Sequence, residues 1–354
     1  MRNMISEQAI LDFYMYPLIG GDDWRYTFQT ARVRAIEMQL LSKTTLLDLA
    51  NAETFEAAVD LLSATEYALP PGTKNLTEME KILLLRRSAL RELFEVLCIN
   101  KSIVKLLKTR DDFANLRLAV RRTLTGRPVG ADYSSDGNVT PEMLQDAFEK
   151  DNLNLLPLYL QKAAENAVLA YYQNKDVRRI DYEVDAAQAQ YNLKEARRLE
   201  NIFLLGLFRI QTDLTNIRTM LRLKFTPSLT GAGFSQSEQR NVLLDGGFID
   251  LERLTKALDL GYETIGQSFF VTPYYQIAEA GAAYLLSDKS FLKLEQQCDE
   301  FLTGFLKNTI QITAGPQPII AYLLMKEMEI RKVRLILTAK KNSLDTKLIL
   351  DRIS

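Results

Sequence analysis

The sequence predicts an all-α fold, and three observations support that prediction. Apolar residues recur at three- and four-residue steps through most of the chain, as one buried face of a helix requires. No long stretch alternates apolar and polar residues with a period of two, so no β-sheet is expected. The breaks between the periodic segments are rich in Gly, Pro, Asp and Ser, and helix-capping residues follow them.

Several helices can be placed from their start signals and apolar spacing. Residues 55–62 form a short amphipathic segment, and Asn75 with Glu78 has the form of a capping box before a longer helix. Residues 291–305 keep near-ideal three- and four-residue apolar steps over four turns. Prolines at its start indicate a last long helix over residues 316–340.

Two breaks divide the chain into three parts. Residues 125–140 read TGRPVGADYSSDGNVT, after which Pro141 is typical of a first helical residue. Residues 226–235 read TPSLTGAGFS and lead into a second capping box, Ser235 with Glu238. These breaks predict three helical lobes, over residues 1–128, 129–230 and 231–354.

Composition excludes several classes of function. The chain has 44 Lys and Arg against 45 Asp and Glu, so it lacks the cationic field with which proteins bind nucleic acids. It has no His, which removes the commonest proton shuttles, zinc ligands and nucleophilic triads. Cys98 and Cys298 are widely separated, which favours a reducing, cytoplasmic setting. We therefore predict no catalytic, cofactor-binding or metal-ligating residue and no small-molecule substrate.

The N-terminus and the apolar segments bear on membrane association. Glu7 and Asp12 interrupt the place where a signal peptide needs its apolar core. The longest apolar runs, such as residues 202–208, are far shorter than a membrane-spanning helix. We expect a chain that is neither exported nor inserted in a membrane.

A short pattern recurs along the chain at intervals of roughly 100 residues. The first residue of the pattern is an acid, such as Asp112 or Asp213. Counted from that acid, the fifth residue is aliphatic and the sixth is Arg. The three clear copies are Asp112–Arg122 (DFANLRLAVRR), Asp213–Leu223 (DLTNIRTMLRL) and Glu329–Ala339 (EIRKVRLILTA), and Ala31–Leu41 (ARVRAIEMQLL) is a weaker fourth. An acidic helix precedes each clear copy at a similar distance, marked by Glu80, Asp181 and Glu295. The shared residue pattern and the shared spacing predict three tandem helical units, each closed by one of these helices.

The arginines of this pattern are the candidate functional residues. On a helix, Leu214, Ile217 and Leu221 form an apolar stripe that Arg218 and Arg222 border. Such arginines either pair with neighbouring helices of the same lobe or line a surface shared with a partner protein, and the sequence leaves both interpretations open. The candidates for interface or inter-helix contacts are Arg34, Arg117, Arg218, Arg222 and Arg334.

Enzymatic alternatives find little support in the sequence. It has no phosphate-binding loop of the form GxxxxGK[ST], and Gly231 with Gly233 is better interpreted as a turn between helices. Acid pairs such as Asp22 with Asp23 lack a calcium-loop pattern and are expected to be helix caps or solvated side chains. A helical-repeat scaffold that binds an unrelated protein remains the alternative function.

Three further segments carry a resemblance to a known family. Tyr26–Lys43 (YTFQTARVRAIEMQLLSK), Leu61–Tyr67 (LLSATEY) and Pro318–Leu337 (PIIAYLLMKEMEIRKVRLIL) resemble the opening and closing signatures of the C/d family of V/A-type ATPase subunits. The central DLTNIRTMLRLKF is similar to that family too, so the likeness spans essentially the whole chain. Residues 133–175 are the least typical part, and Lys332 stands where the other two clear copies of the pattern have Asn.

The resemblance implies an architecture and a role. Members of this family are all-α bodies of three similar lobes around a pseudo-threefold axis, which together form a funnel. They sit on the cytoplasmic face of the membrane, between the proteolipid c-ring and the central stalk, and couple ATP turnover to proton or sodium transport without a catalytic residue. The expected partners of this chain are therefore the central stalk and the c-ring.

Overall fold

We analysed a computed structural model that describes residues 16–70, 72–126, 133–230 and 242–353. All of the regular structure in these ranges is helical, which confirms the all-α prediction. Its α-helices, in chain order, are α1 Thr27–Glu37, α2 Lys43–Asn51, α3 Phe55–Leu61, α4 Leu76–Leu97, α5 Lys101–Thr125, α6 Pro141–Glu149, α7 Leu158–Asn174, α8 Val177–Arg198, α9 Ile202–Thr230, α10 Leu251–Asp259, α11 Tyr262–Ile265, α12 Tyr275–Asp288, α13 Leu292–Lys307, α14 Pro316–Lys341 and α15 Thr346–Ile353.

Most of the predicted helix starts occur where the sequence placed them. Asn75 caps α4 by accepting a hydrogen bond from the Glu78 backbone N–H at 2.9 Å. The Glu78 side chain pairs with Lys81 at 2.7 Å. Thr140 caps α6 in the same way as Asn75 caps α4, and Pro141 occupies its first turn as predicted. The second predicted capping box, Ser235 with Glu238, lies outside the described residues.

The chain divides into two compact units. The first unit contains Asn100–Leu260, which includes helices α5 to α10. In it, α5 packs against α6, α7 and α8, and the core that they share contains Phe113, Leu116 and Val120 from α5. The helix that we expected to close the first lobe thus contributes to the core of the helices that follow it.

The second unit joins the described parts of Asp12–Ile99 and Gly261–Ser354. Its central element is α14, which packs against α1, α2, α3, α4, α13 and α15. Because other helices surround it, α14 buries residues on several faces and not on one stripe, from Ile319 and Ile320 near its start to Ile336 and Leu337 near its end. The last helix of the repeat pattern is therefore the core of the unit that also contains the first helices.

The predicted division into three lobes stays a prediction. Its boundaries, 128/129 and 230/231, fall in or beside residues 127–132 and 231–241, which lie outside the described residues. The pseudo-threefold, funnel-like arrangement is likewise an expectation from the family resemblance.

Candidate functional site

The repeat pattern places a buried carboxylate near the middle of three helices. In the first copy, Asp112 of α5 is 1% exposed. Its Oδ1 accepts hydrogen bonds from the backbone N–H of Asn138 at 2.7 Å and of Val139 at 3.0 Å. Val139 directly precedes Thr140, the N-cap of α6. Tyr159 donates its hydroxyl to Oδ2 of the same carboxylate at 2.8 Å.

The second copy repeats this arrangement in the helix α9. Asp213 is fully buried and accepts from the backbone N–H of Phe248 at 2.9 Å and of Ile249 at 3.1 Å. Ile249 directly precedes Asp250, the N-cap of α10. Each carboxylate therefore fixes the two residues before the N-cap of a later short helix.

Glu329 has the corresponding role in α14. Its Oε2 accepts from the backbone N–H of Leu41 at 2.5 Å, and Leu41 directly precedes Ser42, the N-cap of α2. Tyr67 donates its hydroxyl to Oε1 at 2.6 Å, as Tyr159 does to Asp112. The last copy of the pattern thus holds the start of the first of these three short helices. We call these three contacts the Asp112, Asp213 and Glu329 joints.

An asparagine three residues after the acid strengthens two of the joints. Asn115 accepts from the Ser134 backbone N–H at 2.9 Å and donates to the Ser134 carbonyl at 2.7 Å. Asn216 makes the same two bonds with Leu244, at 2.7 and 2.8 Å. The third copy has Lys332 here, whose pKa is lowered by burial. Lys332 therefore replaces, in the third copy, the asparagine that makes these two hydrogen bonds in the other joints.

Glycine allows the two aspartates to approach the backbone closely. A Cβ added at Gly137 would overlap Oδ1 of Asp112, and one added at Gly247 would overlap Oδ1 of Asp213. The equivalent position before the Glu329 joint, two residues ahead of Leu41, is the exposed Gln39. Only the two aspartate joints exclude a side chain at this point.

A buried charged cluster surrounds the Glu329 joint. The Lys326 ammonium belongs to a residue that is 3% exposed, and it pairs with both Glu329 and Glu66. It also lies 5.0 Å from the centre of the Tyr67 ring. Burial, and then the neighbouring Glu329, raises the pKa of Tyr67, so its hydroxyl stays a hydrogen-bond donor.

Two of the predicted arginines contact the acids that the sequence marked before the repeat copies. Arg117 of α5 pairs with Asp185 and lies 3.6 Å from Asp181, both on α8. Arg334 of α14 donates from Nε to both carboxylate oxygens of Glu80 on α4, at 3.1 and 2.9 Å. The partner helix in each case belongs to a different predicted lobe from the arginine.

The burial of these ion pairs differs from that of the joints. The side chains of Arg117 and Arg334 are 32% and 33% exposed, so water screens both pairs. Burial raises the pKa of Asp185 even though Arg117 opposes that shift. We therefore expect the arginine contacts to contribute less to stability than the buried joints do.

The remaining predicted arginines have different surroundings. Arg34 pairs with Glu37 at 2.7 Å and donates to the carbonyl of Thr309 at 2.5 Å. Arg218 is half-buried and Arg222 is exposed, and each takes part in further interactions. A role for any of the five arginines at a partner interface stays a prediction.

Asp22 and Asp23 form an acid pair that could suggest a metal site, but both hold backbone groups. Asp22 accepts from the backbone N–H of Thr313 at 2.8 Å and of Ala314 at 3.2 Å. Asp23 caps the 3-10 turn Trp24–Tyr26. Within the described ranges, no group of three or more acidic or cysteine side chains could hold a metal ion. No described helix is long and apolar enough to cross a membrane.

The sequence interpretation did not identify the loop residues whose backbone N–H groups donate to these acids. It identified the acids at 112, 213 and 329 but not the loops that they hold. A usable signal exists: residues 137–140 (GNVT) and 247–250 (GFID) share a glycine, an aliphatic residue and an N-cap at the same spacing. An alignment of the loops that precede the short helices would have found it.

Comparison with known proteins identifies the family of this chain. The sequence profile of the ATP synthase (C/AC39) subunit family matches residues 29–352. The chain is 24% identical to the C subunit of the V-type sodium ATPase of Enterococcus hirae, over 88% of this chain and 92% of that protein. It is 25% identical to the C subunit of the A-type ATP synthase of Thermococcus kodakarensis, over 88% and 86%. It is 24% identical to the C subunit of the V-type ATP synthase of Thermus thermophilus, over 91% and 94%.

The profile match includes the three clear copies of the repeat and all three joints. The chain therefore belongs to the ATP synthase (C/AC39) subunit family, as an accessory subunit and not a catalytic one.

Proposed function

We propose that this chain is the non-catalytic coupling subunit of a V/A-type rotary ATPase. It binds the foot of the central stalk and the proteolipid c-ring, on the cytoplasmic face of the membrane, and transmits torque that couples ATP turnover to proton or sodium transport. The observation that carries the proposal is the family match, which extends over residues 29–352.

The three joints support a three-lobed body. Asp112 and Asp213 each fix the start of a short helix in the following repeat, and Glu329 fixes the start of a short helix in the first one. A chain of repeats whose last member contacts its first is compatible with the pseudo-threefold arrangement that the family resemblance implies. An open solenoid would leave its terminal repeats without this contact.

The same contacts supply the stiffness that torque transmission requires. Close-packed helical interiors have low compressibility, so they transmit strain and do not absorb it. Buried carboxylates with satisfied hydrogen bonds make each repeat-to-repeat contact geometrically specific. No catalytic chemistry is needed for such a part.

The test is reconstitution with the partners from the same organism. The purified chain should bind the central stalk and the detergent-solubilised proteolipid ring at the same time, in pull-down and by mass photometry. It should show no ATPase activity of its own after rigorous purification. Binding to neither partner under gentle detergent would favour the alternative, a helical scaffold for an unrelated protein.

A further inference from the structure

Lys332 of α14 occupies the position where the other two clear copies of the repeat pattern have Asn115 and Asn216. Each of those asparagines accepts from the backbone N–H of one loop residue and donates to the carbonyl of the same residue. A lysine ammonium has donors but no acceptor, so Lys332 cannot make this pair of bonds. Its side chain is therefore available for another role.

The Lys332 amine has no hydrogen bond and no ion pair among the residues that the structure describes. Four charged side chains from the helices packed around it face the amine: Asp299 and Glu300 of α13, Arg352 of α15 and Lys43 of α2. Both acids already have a cation, because Arg352 pairs with Asp299 at 2.7 Å and Lys43 pairs with Glu300 at 3.1 Å. Three cations thus share two carboxylates, and Lys332 is left without a partner.

The burial of this amine determines its chemistry. Lys332 is half-buried, and its Nζ keeps contact with solvent. Burial lowers the pKa of Lys332, and this effect prevails over the opposing effect of Asp299. At a given pH, a larger fraction of the amine is therefore neutral than in an exposed lysine. The neutral amine is the nucleophilic form of the side chain.

Lysines elsewhere in the described chain show how such burial is usually compensated. Burial also lowers the pKa of Lys224, but its ammonium donates to two backbone carbonyls at the C-terminal end of α10. Lys326 is buried and pairs with two glutamates. Lys332 differs from both because its burial is not accompanied by a bond to the nitrogen.

We propose that Lys332 is a reactive lysine, at which an acyl thioester or an acyl phosphate transfers its acyl group. The amine nitrogen attacks the acyl carbon, and a C–N bond forms. The bond from that carbon to sulfur or to the phosphate oxygen breaks, and the thiolate or phosphate leaves with the electron pair. The nitrogen gives its proton to water. The product is a neutral amide, and nothing is oxidised or reduced.

The surroundings of Lys332 are compatible with this product. Acylation removes the one of the three cations that has no partner, and it leaves the Arg352–Asp299 and Lys43–Glu300 pairs balanced. An unpaired charge in a half-buried place costs free energy, so its removal should not destabilise the fold. This reactivity belongs to the isolated chain and does not depend on the proposed coupling function.

The test is competitive acylation of the full-length chain. Its probes, used separately, are acetyl phosphate and the acetyl thioester of N-acetylcysteamine. Peptide mass spectrometry measures the acylation rate of each lysine over a pH series from about 7 to about 10. Lys307 at the end of α13 is the exposed reference. Lys224 is the reference for a lysine whose amine is already bound.

At the lower end of the pH series we expect Lys332 to react about threefold faster than Lys307, or more, with at least one probe. It should also react faster than Lys224. The ratio to Lys307 should fall as the pH rises, because exposed lysines then lose their protons too. Unfolding the chain in urea before labelling should remove the preference. The probe that gives the preference identifies the class of acyl donor.

Arg352→Gln tests the surroundings of the amine. Without the guanidinium, the Asp299 carboxylate becomes available to Lys332, so acylation of Lys332 should slow about threefold or more while that of Lys307 is unchanged. Arg334→Gln is the matched control, because it removes an ion pair between α14 and α4 instead. It should leave both rates unchanged. Circular dichroism melting shows whether each variant is folded.

Two results would overturn the proposal. The first is acylation of Lys332 in the folded chain that is no faster than that of Lys307 with either probe. If inorganic phosphate then slows the labelling of Lys332 further, its ammonium is an anion-binding site instead. The second is a preference for Lys332 that persists in urea, because it would then come from the local sequence and not from the fold.

Discussion

The Asp213 joint of the first unit and the Glu329 joint of the second solve the same problem with different side chains. Both carboxylates accept hydrogen bonds from backbone N–H groups just before a helix N-cap. Asp213 is short and requires Gly247 beside it, where a Cβ would overlap the carboxylate. Glu329 has one more methylene group and tolerates the exposed Gln39 at the equivalent position.

The longer side chain of Glu329 lies among other buried charged and polar groups. Glu329 shares its buried site with Lys326, Glu66 and Tyr67, so its charge is balanced by another side chain. The fully buried Asp213 accepts its hydrogen bonds at 2.9 and 3.1 Å from the backbone of one loop. The comparison shows that the longer side chain of Glu329 reaches its backbone donor without a glycine at the neighbouring position.

The largest expected loss of stability comes from removing the shorter acid, Asp213. Asp213→Ala leaves two backbone N–H groups without their acceptor, and each such buried donor costs about 1–3 kcal/mol. We expect the free energy of unfolding to fall by about 4 kcal/mol, a large fraction of a domain's stability. Urea unfolding followed by circular dichroism measures it. Asp245→Ala, an exposed neighbour, is the control, and a loss below about 1 kcal/mol for Asp213→Ala would contradict the importance of the joint.

A second prediction concerns the glycine that only the aspartate joints need. Gly247→Ala forces the Asp213 carboxylate away from its backbone donors, with an expected loss of about 2–3 kcal/mol in the free energy of unfolding. Gln39→Ala, at the equivalent place before the Glu329 joint, should change stability by less than about 0.5 kcal/mol. Urea unfolding of both variants gives the comparison. Equal losses of stability at Gly247 and Gln39 would show that the Glu329 joint is no more tolerant of changes at this position than the Asp213 joint.

The third prediction tests the counter-charge at the Glu329 joint. Glu329→Gln keeps one oxygen for the Leu41 N–H but removes one of the two carboxylates that pair with Lys326. Stability should fall by about 2 kcal/mol, since a buried ammonium loses part of its compensation. Adding Lys326→Met should recover part of the loss, and the double-mutant cycle gives the coupling between the two side chains. Strict additivity would mean that the buried pair is not coupled.

The smallest effect is expected for the half-exposed ion pairs. Arg334→Gln removes the bonds to Glu80 and should cost less than about 1 kcal/mol, because solvent and salt screen the pair. The same change at Arg117 should give a similar value. Thermal unfolding at low and high salt checks this. A loss as large as that of Asp213→Ala would place the arginines, and not the acids, at the centre of the repeat-to-repeat contacts.

The family resemblance led to the correct family from the sequence, and the profile match confirms it. The all-α class, the capped start of α4 and the proline start of α14 were also correct, because capping and apolar periodicity are local properties. The interface roles of the arginines and the three-lobe arrangement stay predictions.

The sequence by itself therefore determined the helices, the repeat and the positions of Asp112, Asp213 and Glu329, since each depends on residues near one another in the chain. Only the tertiary structure decided what those acids hold. Leu41 lies far from Glu329 in sequence, and no spacing rule joins a carboxylate to a backbone N–H across that distance. The same holds for the pairing of Arg334 with Glu80. Such contacts arise when packed helices bring remote segments together, and side-chain chemistry alone does not select which segments meet.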